Sequence, residues 1–196
     1  MKKIILLLSA GLVLQNSYAA EKLSCANPVA EINTNMGIID VELNPKKAPI
    51  TVKNFETYVN SGFYNGKIFH RVIDGFMIQG GGFDKNMVEA KTNVPIKNEA
   101  TNGLANDKYT IAMARTSVVD SATAQFFINT NNNSFLNHTS NSPQGYGYAV
   151  FGRVIKGSDV VDKISKTKTG IVNGYQDVPL TNVVINNIKM LPCNKK

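Results

Sequence analysis

The chain has 196 residues, a formal net charge of +7, no tryptophan, two histidines and two cysteines. This length corresponds to one domain once any removable segment is subtracted. The lysines are scattered, as at Lys46, Lys53 and Lys67, and form no basic stripe interleaved with aromatic residues. The composition therefore argues against a nucleic-acid-binding protein.

Residues 1–19 have the three parts of a secretory signal peptide. Two lysines form the positive start, an apolar stretch follows over residues 4–14, and residues 17–19 (SYA) give a small-x-small cleavage site. The apolar stretch is shorter than the ~20 residues that a membrane span needs, which argues against stable membrane insertion. We predict cleavage after residue 19 or 20, a single domain over residues 20–196, and localisation in the periplasm or, alternatively, secretion.

Two cysteines, Cys25 and Cys193, stand near the two ends of the predicted mature chain. In an exported protein such a pair is compatible with a disulfide, which would require the termini to meet in space. The alternative is two unpaired thiols. The sequence leaves both possibilities open.

Six segments alternate apolar and polar residues in the manner of half-buried strands. Clusters of glycine, asparagine and proline separate them. The segments are residues 30–43, 67–73, 109–115, 125–130, 148–155 and 181–191.

Two other segments have helical spacing. Over residues 50–62, apolar side chains recur at Val52, Phe55 and Val59, after Pro49 and before Gly62.

A shorter helix is predicted over residues 158–166, with Ser158 or Asp159 as the N-cap. Helices are missing between successive strands, which excludes a parallel βαβ sheet. The pattern predicts a mainly β fold, a closed antiparallel barrel capped by two helices.

Most familiar catalytic patterns are missing from the sequence. The histidines, His70 and His138, have no metal-ligand spacing, and there is no GxSxG motif. The glycines at 80–82 lack the GK[ST] ending of a phosphate-binding loop. These absences argue against hydrolase, redox and metal chemistry, and no cofactor or metal is predicted.

What remains is the segment FHRVIDGFMIQGGGF at residues 69–83. It resembles the signature of the cyclophilin family of peptidyl-prolyl cis–trans isomerases. The resemblance continues through TIAMART, SATAQFFINT, NSFLNH and YAVFGRVIKGSDVVDKI, in family order, from about residue 30 to 191, and PIKNEATNGL resembles the exported bacterial branch. It implies an eight-stranded antiparallel barrel with two helices, a groove outside the barrel, and isomerisation of X–Pro bonds.

The resemblance also implies a set of site residues. Arg71 matches the catalytic arginine, and Gln79 matches the glutamine that binds the substrate carbonyl and positions that arginine. Ala114, Arg115 and Gln125 match groove positions. The proline pocket corresponds to Phe76, Met77, Phe127 and Leu136.

Three positions depart from the family pattern. Arg115 stands where many members have asparagine, and could add a charge preference. Phe135 replaces the tryptophan of drug-sensitive members and lacks an indole N–H, which predicts weak cyclosporin binding with catalysis retained. Tyr148 replaces a histidine on the pocket rim. By strand alternation, His70 is predicted to point away from the groove and to be structural.

Three functional hypotheses follow. The first is a monomeric folding enzyme that acts on proline-containing segments of exported proteins. The second is a chaperone module that binds such segments with incidental turnover. The third is a barrel scaffold that uses another surface. Arg71 and Gln79 favour the enzyme, since a pure binding module could dispense with both.

Overall fold

The computed structural model describes residues 27–192, so the predicted signal segment, Cys25 and Cys193 lie outside the described residues. Ten strands and two α-helices follow one another along this part of the chain. They are β1 (Val29–Thr34), β2 (Gly37–Leu43), α1 (Pro49–Asn60), β3 (Lys67–Ile73), β4 (Met77–Asp84), β5 (Thr110–Met113), β6 (Phe126–Asn129), β7 (Val150–Lys156), α2 (Ser158–Ser165), β8 (Thr169–Val172), β9 (Tyr175–Pro179) and β10 (Ile185–Met190).

Eight of these strands form one antiparallel sheet in the order β10-β1-β2-β7-β5-β6-β4-β3. The two ends of this sheet come together at an isolated bridge between Ile68 of β3 and Val184, the residue just before β10. A backbone hydrogen bond from Phe69 N to Val183 O, 2.9 Å long, lies beside that bridge. The barrel is therefore nearly closed, with one unsealed seam, and the prediction of a fully closed barrel needs that correction.

The barrel interior is filled by aromatic side chains from distant parts of the chain. Phe55 of α1 contacts Phe151 at 5.3 Å and Tyr64 at 5.4 Å between ring centroids, and Phe126 meets Tyr64 edge-on at 5.5 Å. All four side chains are buried. Burial of side chains this large contributes about 2 kcal/mol each, so α1 is fixed over the barrel by its apolar face.

Helix α1 confirms the predicted periodicity, because Val52, Phe55 and Val59 are all buried. Its N-terminus is capped from a distant loop. Glu99 accepts hydrogen bonds from the backbone N–H groups of Ile50 and Thr51 at 3.1 and 2.8 Å. These donors have no partner within a helix, and the carboxylate also suits the positive end of the helix dipole.

Helix α2 is also present, but its predicted N-cap was wrong. Gly157 occupies that position with φ +81°, and Ser158 is the first helical residue. A side chain at Gly157 would collide with the Ile38 carbonyl of β2. The close approach of β2 therefore requires glycine where a serine or aspartate cap was predicted.

The hairpin of β8 and β9 was not predicted. Asn173 and Gly174 join its strands with φ values of +50° and +82°, and Asn-Gly is the preferred pair for such a tight turn. The hairpin packs against β3 through a separate apolar cluster. This hairpin cluster contains Ile68, Phe83, Met87 and Val178.

Within residues 27–192, no helix is both long and apolar enough to span a membrane.

Candidate active site

A β-bulge in β3 decides where Arg71 points. Phe69 pairs with Gly80 and Arg71 pairs with Gln79, so β3 advances two residues while β4 advances one. His70 is the extra residue of this bulge. Phe69 packs in the barrel core, and strict alternation would turn Arg71 toward the same face. The bulge, and not simple alternation along the strand, therefore turns Arg71 outward.

Four strands bring their outward side chains into one row. Arg71 of β3 pairs with Gln79 of β4, Gln79 pairs with Phe127 of β6, and Phe127 pairs with Ala112 of β5. Directly paired residues of an antiparallel sheet share a face. The sheet register thus places the arginine, the glutamine and the phenylalanine side by side on the outside of the barrel.

A hollow of about 150 Å³ lies over this row. Of the eleven groove residues that the resemblance implies, nine line it. These are Arg71, Phe76, Met77, Gln79, Ala114, Arg115, Phe127, Leu136 and Tyr148.

The apolar side of the hollow is built on the sheet. Met77 and Phe127 are 2% and 4% exposed and pack with Ala112 in a cluster outside the barrel core. Tyr148 meets the Phe127 ring edge-on at 5.7 Å. Because these side chains are held by their neighbours, the apolar surface is formed without a ligand.

The two remaining predicted residues lie beside the hollow. Gln125 accepts a hydrogen bond from Gln79 Nε2 at 3.0 Å and donates one to Glu89 at 3.0 Å. Phe135 is 70% exposed and stacks on Phe76 at 5.6 Å between ring centroids. Gln125 therefore orients Gln79, while Phe135 extends the apolar surface outward.

Two of the three glycines in β4 make room for this arrangement. Gly81 has φ +87°, a conformation that other residues rarely adopt. A Cβ atom on Gly82 would lie 2.6 Å from the side chain of Gln125. Gly82 therefore lets Gln125 fold across β4 and reach Gln79, while Gly81 leaves room for the rings of Tyr64 and Phe126.

The polar side of the hollow carries Arg71, whose side chain is 42% exposed. Its Nε atom lies 3.7 Å from a carboxylate oxygen of Asp177, on β9. Asp177 has φ +59°, so the hairpin holds this residue in an unusual backbone conformation. Asp177 was not predicted as a site residue, although the Asn-Gly turn nearby predicts the hairpin that carries it.

Arg115 is engaged by the loop that borders the hollow. Its guanidinium donates hydrogen bonds of 2.9 Å to the carbonyls of Thr116, Pro143 and Gly147. It also lies over the Tyr148 ring at 4.9 Å. The side chain thus anchors the loop that leads to Tyr148, and its predicted charge preference stays a prediction.

Alternation predicted that His70 points to the opposite side of the sheet from Arg71. That prediction of its direction was wrong. It is 6% exposed and stacks on Phe83 of the hairpin cluster at 4.5 Å. Burial lowers the pKa of His70 to about 4, and the nearby charge of Arg71 acts in the same direction. The neutral imidazole of His70 therefore packs against the hairpin cluster through Phe83.

A second hollow, of about 180 Å³, lies beside β2 and β7. Arg153 on its rim pairs with Glu42 at 3.0 Å. Among residues 27–192, no three His, Cys, Asp or Glu side chains are grouped so that they could hold a metal ion.

Comparisons with known proteins agree with this geometry. Residues 29–190 match the family model described as cyclophilin type peptidyl-prolyl cis-trans isomerase/CLD. The chain is 61% identical to the peptidyl-prolyl cis-trans isomerase cyp18 of Streptomyces antibioticus, over 82% of this chain and 97% of that protein. It is 55% identical to peptidyl-prolyl cis-trans isomerase B of Escherichia coli K12, over 80% and 95% of the two chains.

A solved structure supports the fold. The cyclophilin type peptidyl-prolyl cis-trans isomerase of Cryptosporidium parvum, crystallised in the presence of the dipeptide Ala-Pro, superposes with a TM-score of 0.68. The match covers 84% of this chain and 99% of that one at 24% identity. Sequence, sheet order and relatives lead to the same conclusion: the chain belongs to the cyclophilin-type peptidyl-prolyl cis–trans isomerase family.

Proposed function

We propose that this protein accelerates cis–trans isomerisation of X–Pro peptide bonds in polypeptides, and that the hollow beside Arg71 is its active site. One observation carries the proposal. A bulge turns the Arg71 guanidinium onto the rim of a preformed apolar hollow, directly beside Gln79. The relatives at 55–61% identity bear the name of this activity.

The reaction needs no nucleophile. Rotation about an X–Pro bond breaks amide resonance, with a barrier of ~18–20 kcal/mol. An acceleration of ~10⁵ requires about 7 kcal/mol of preferential binding to the twisted state. In that state the proline nitrogen becomes pyramidal and gains a lone pair. A fixed cationic donor facing it stabilises the twisted amide more than either planar form.

The proposed roles follow from the placement of each side chain. Arg71 donates to the proline nitrogen, and Gln79 binds the carbonyl of the substrate. Phe76, Met77 and Leu136 enclose the pyrrolidine ring, together with Phe127 and Tyr148. Burial of the ring contributes roughly 2 kcal/mol, which stabilises ground state and transition state alike.

The test is the comparison of the wild-type protein with Arg71→Ala on an X–Pro peptide. Exchange NMR gives the interconversion rate of the bound peptide, and titration gives its affinity. We expect a rate loss of about 10²–10³-fold with affinity within threefold of wild type. A wild-type protein that binds the peptide without accelerating exchange would favour the alternative, a chaperone module for proline-containing segments.

Weak cyclosporin binding is part of the proposal. It is supported by the exposed ring of Phe135, which has no N–H to donate. Phe135→Trp is expected to tighten cyclosporin binding at least tenfold with an unchanged exchange rate. Tight inhibition of the wild-type protein would contradict the proposal.

We also propose that the enzyme acts as a monomer on exported proteins, in the periplasm or after secretion. The N-terminal sequence supports export, and the two cysteines suit an oxidising compartment. Mass spectrometry of the protein recovered from the periplasm of a bacterial host tests cleavage after residue 19 or 20. The same spectra, with and without reductant, show whether Cys25 and Cys193 are bridged.

A further inference from the structure

Three buried asparagines are hydrogen-bonded to one another beneath the hollow. Asn133 Nδ2 donates to Asn129 Oδ1 at 2.7 Å, and Asn129 Nδ2 donates to Asn106 Oδ1 at 3.2 Å. The three residues are 2%, 0% and 0% exposed. They come from separate parts of the chain: the loop before β5, the end of β6, and the segment that follows β6. We call these three residues the asparagine relay.

The relay donates to the backbone of the hollow itself. Asn133 Nδ2 bonds the carbonyl of Phe76 at 2.9 Å. Asn106 Nδ2 shares its two hydrogens among three acceptors, which are Asn137 Oδ1 at 3.1 Å and the carbonyls of Leu136 and Tyr148 at 3.2 and 3.3 Å. Each of these three carbonyls belongs to a residue that lines the hollow.

None of the three lining residues lies in a strand of the sheet. Phe76 is in the turn between β3 and β4, Leu136 in a short 3-10 helix, and Tyr148 just before β7. Backbone hydrogen bonds hold parts of these segments, since Thr130 N donates to the Phe76 carbonyl at 2.9 Å and Tyr148 N donates to the Leu136 carbonyl at 3.0 Å. The relay adds side-chain hydrogen bonds that tie all three segments to one another.

An amide side chain suits this part because it can donate through Nδ2 and accept through Oδ1. Asn129 and Asn106 do both, and Asn133 donates through both of its Nδ2 hydrogens. A carboxylate of the same shape would turn its oxygens toward carbonyl acceptors and leave buried groups unpaired. Replacement of one amide nitrogen by a carboxylate oxygen is thus enough to break these hydrogen bonds.

We propose that the asparagine relay positions Phe76, Leu136 and Tyr148 and thereby sets the affinity of the hollow for the proline ring. Its members are positioning residues, since they touch no substrate. The inference rests on the proposed function of the hollow. In this proposal the relay sets the affinity for the substrate, and Arg71 sets the exchange rate of the bound substrate.

The test is Asn133→Asp, an isosteric change that removes the donor to Phe76 and to Asn129. Titration with an X–Pro peptide is expected to show an affinity about tenfold weaker, while the exchange rate of the bound peptide stays within twofold. Lowering the pH should restore part of the affinity, because the protonated aspartic acid regains one donor. Loss of general stability alone would not produce this pH dependence.

Two further variants keep the test decisive. Asn133→Ser retains a small donor in case Asn133→Asp does not fold, and should weaken binding by about threefold to fivefold. Ile32→Val and Ile32→Ala reduce stability from the far side of the barrel, where Ile32 is buried on β1. These controls should leave affinity and exchange rate unchanged while the protein stays folded.

The outcomes separate the relay from the site. Wild-type affinity in a folded Asn133→Asp protein, or an affinity no weaker than that of an equally unstable Ile32 variant, would overturn the role of the relay. If Arg71→Ala keeps the wild-type exchange rate, the proposed function of the hollow fails instead. A loss in the Arg71 variant together with wild-type behaviour in both Asn133 variants leaves the function standing and removes only the relay.

Discussion

The two sides of the hollow are supported in different ways. The apolar side rests on buried residues such as Met77 and Phe127, which are 2% and 4% exposed and packed against neighbouring strands. The polar side carries Arg71, which is 42% exposed and backed by a two-stranded hairpin through Asp177. The apolar side is part of a packed layer of side chains, whereas the polar side depends on the hairpin of β8 and β9, which lies outside the eight-stranded sheet.

This difference corresponds to a division of labour. A packed apolar surface binds the proline ring equally well in the planar and twisted amide, so it contributes to affinity. A directed cation interacts more strongly with the twisted amide, so it contributes to rate. Variants on the two sides should therefore change different parameters, the exchange rate on the polar side and the affinity on the apolar side.

After Arg71→Ala, the largest effect is expected for Arg71→Lys, also on the polar side. Lysine keeps the charge but lacks the planar guanidinium with its fixed donors. We expect the exchange rate of a bound X–Pro peptide to fall by about 10²-fold, with affinity within threefold of wild type. Exchange NMR at saturating peptide measures the rate. A lysine variant within threefold of the wild-type rate would show that charge alone suffices.

The second effect is a pH dependence of the free energy of unfolding. It originates at His70, the residue next to Arg71. Burial holds the pKa of His70 at about 4, below its ordinary value of about 6.5, so the unfolded chain binds a proton that the folded chain refuses. The resulting stability is fully present above pH 6.5 and is lost as the pH falls toward 4. The loss from this residue is about 3 kcal/mol.

His70→Phe keeps a ring against Phe83 and removes the titrating group. Urea unfolding between pH 7 and pH 4 should therefore lose about 3 kcal/mol less in this variant than in wild type. His138→Gln replaces the other histidine and should retain the wild-type dependence. Equal acid sensitivity of wild type and His70→Phe would rule out His70 as the source.

Sequence patterns predicted the helices and most strands because these elements depend on local periodicity. Val52, Phe55 and Val59 lie on one face of α1 whatever the rest of the chain does, and all three are buried. The nine lining residues were available only through the resemblance, since spacing alone does not reveal which strands pair. The sheet register that puts Arg71 beside Gln79 joins two strands with a bulge between them.

What the sequence did not predict depends on contacts between distant segments. Asp177 lies 106 residues after Arg71 in the sequence. The packing of the hairpin on β3 brings the two side chains together. Asn129 lies near the end of a segment that was predicted as a strand, and Asn133 falls in the stretch that was interpreted as loop from its composition. Their amides point inward because buried polar groups of neighbouring segments need hydrogen-bond partners. The bulge at His70 likewise breaks the alternation on which strand predictions depend.

A smaller effect is expected on the apolar side, for Leu136→Ala. Leu136 lines the hollow and is partly exposed, so truncation removes contact with the proline ring without opening the barrel core. Peptide affinity should fall by about fivefold to tenfold, with the bound exchange rate unchanged. Leu180→Ala, at an exposed leucine outside the hollow, is the matched control and should change neither quantity. A loss of rate at constant affinity would contradict the division between the two sides.

The smallest effect is expected for Asp177→Asn, which removes the carboxylate beside Arg71 but keeps a residue that tolerates φ +59°. An ion pair at 3.7 Å between side chains about 40% exposed contributes at most about 1 kcal/mol. Its loss should lower the bound exchange rate by about twofold to fivefold, because the guanidinium loses one of its positioning contacts, while affinity stays constant. Glu31→Gln breaks a comparable pair with Lys189, 2.9 Å apart on β1 and β10, and should leave the rate unchanged. A variant that weakens affinity instead would place Asp177 with the apolar side and remove the hairpin from the catalytic arrangement.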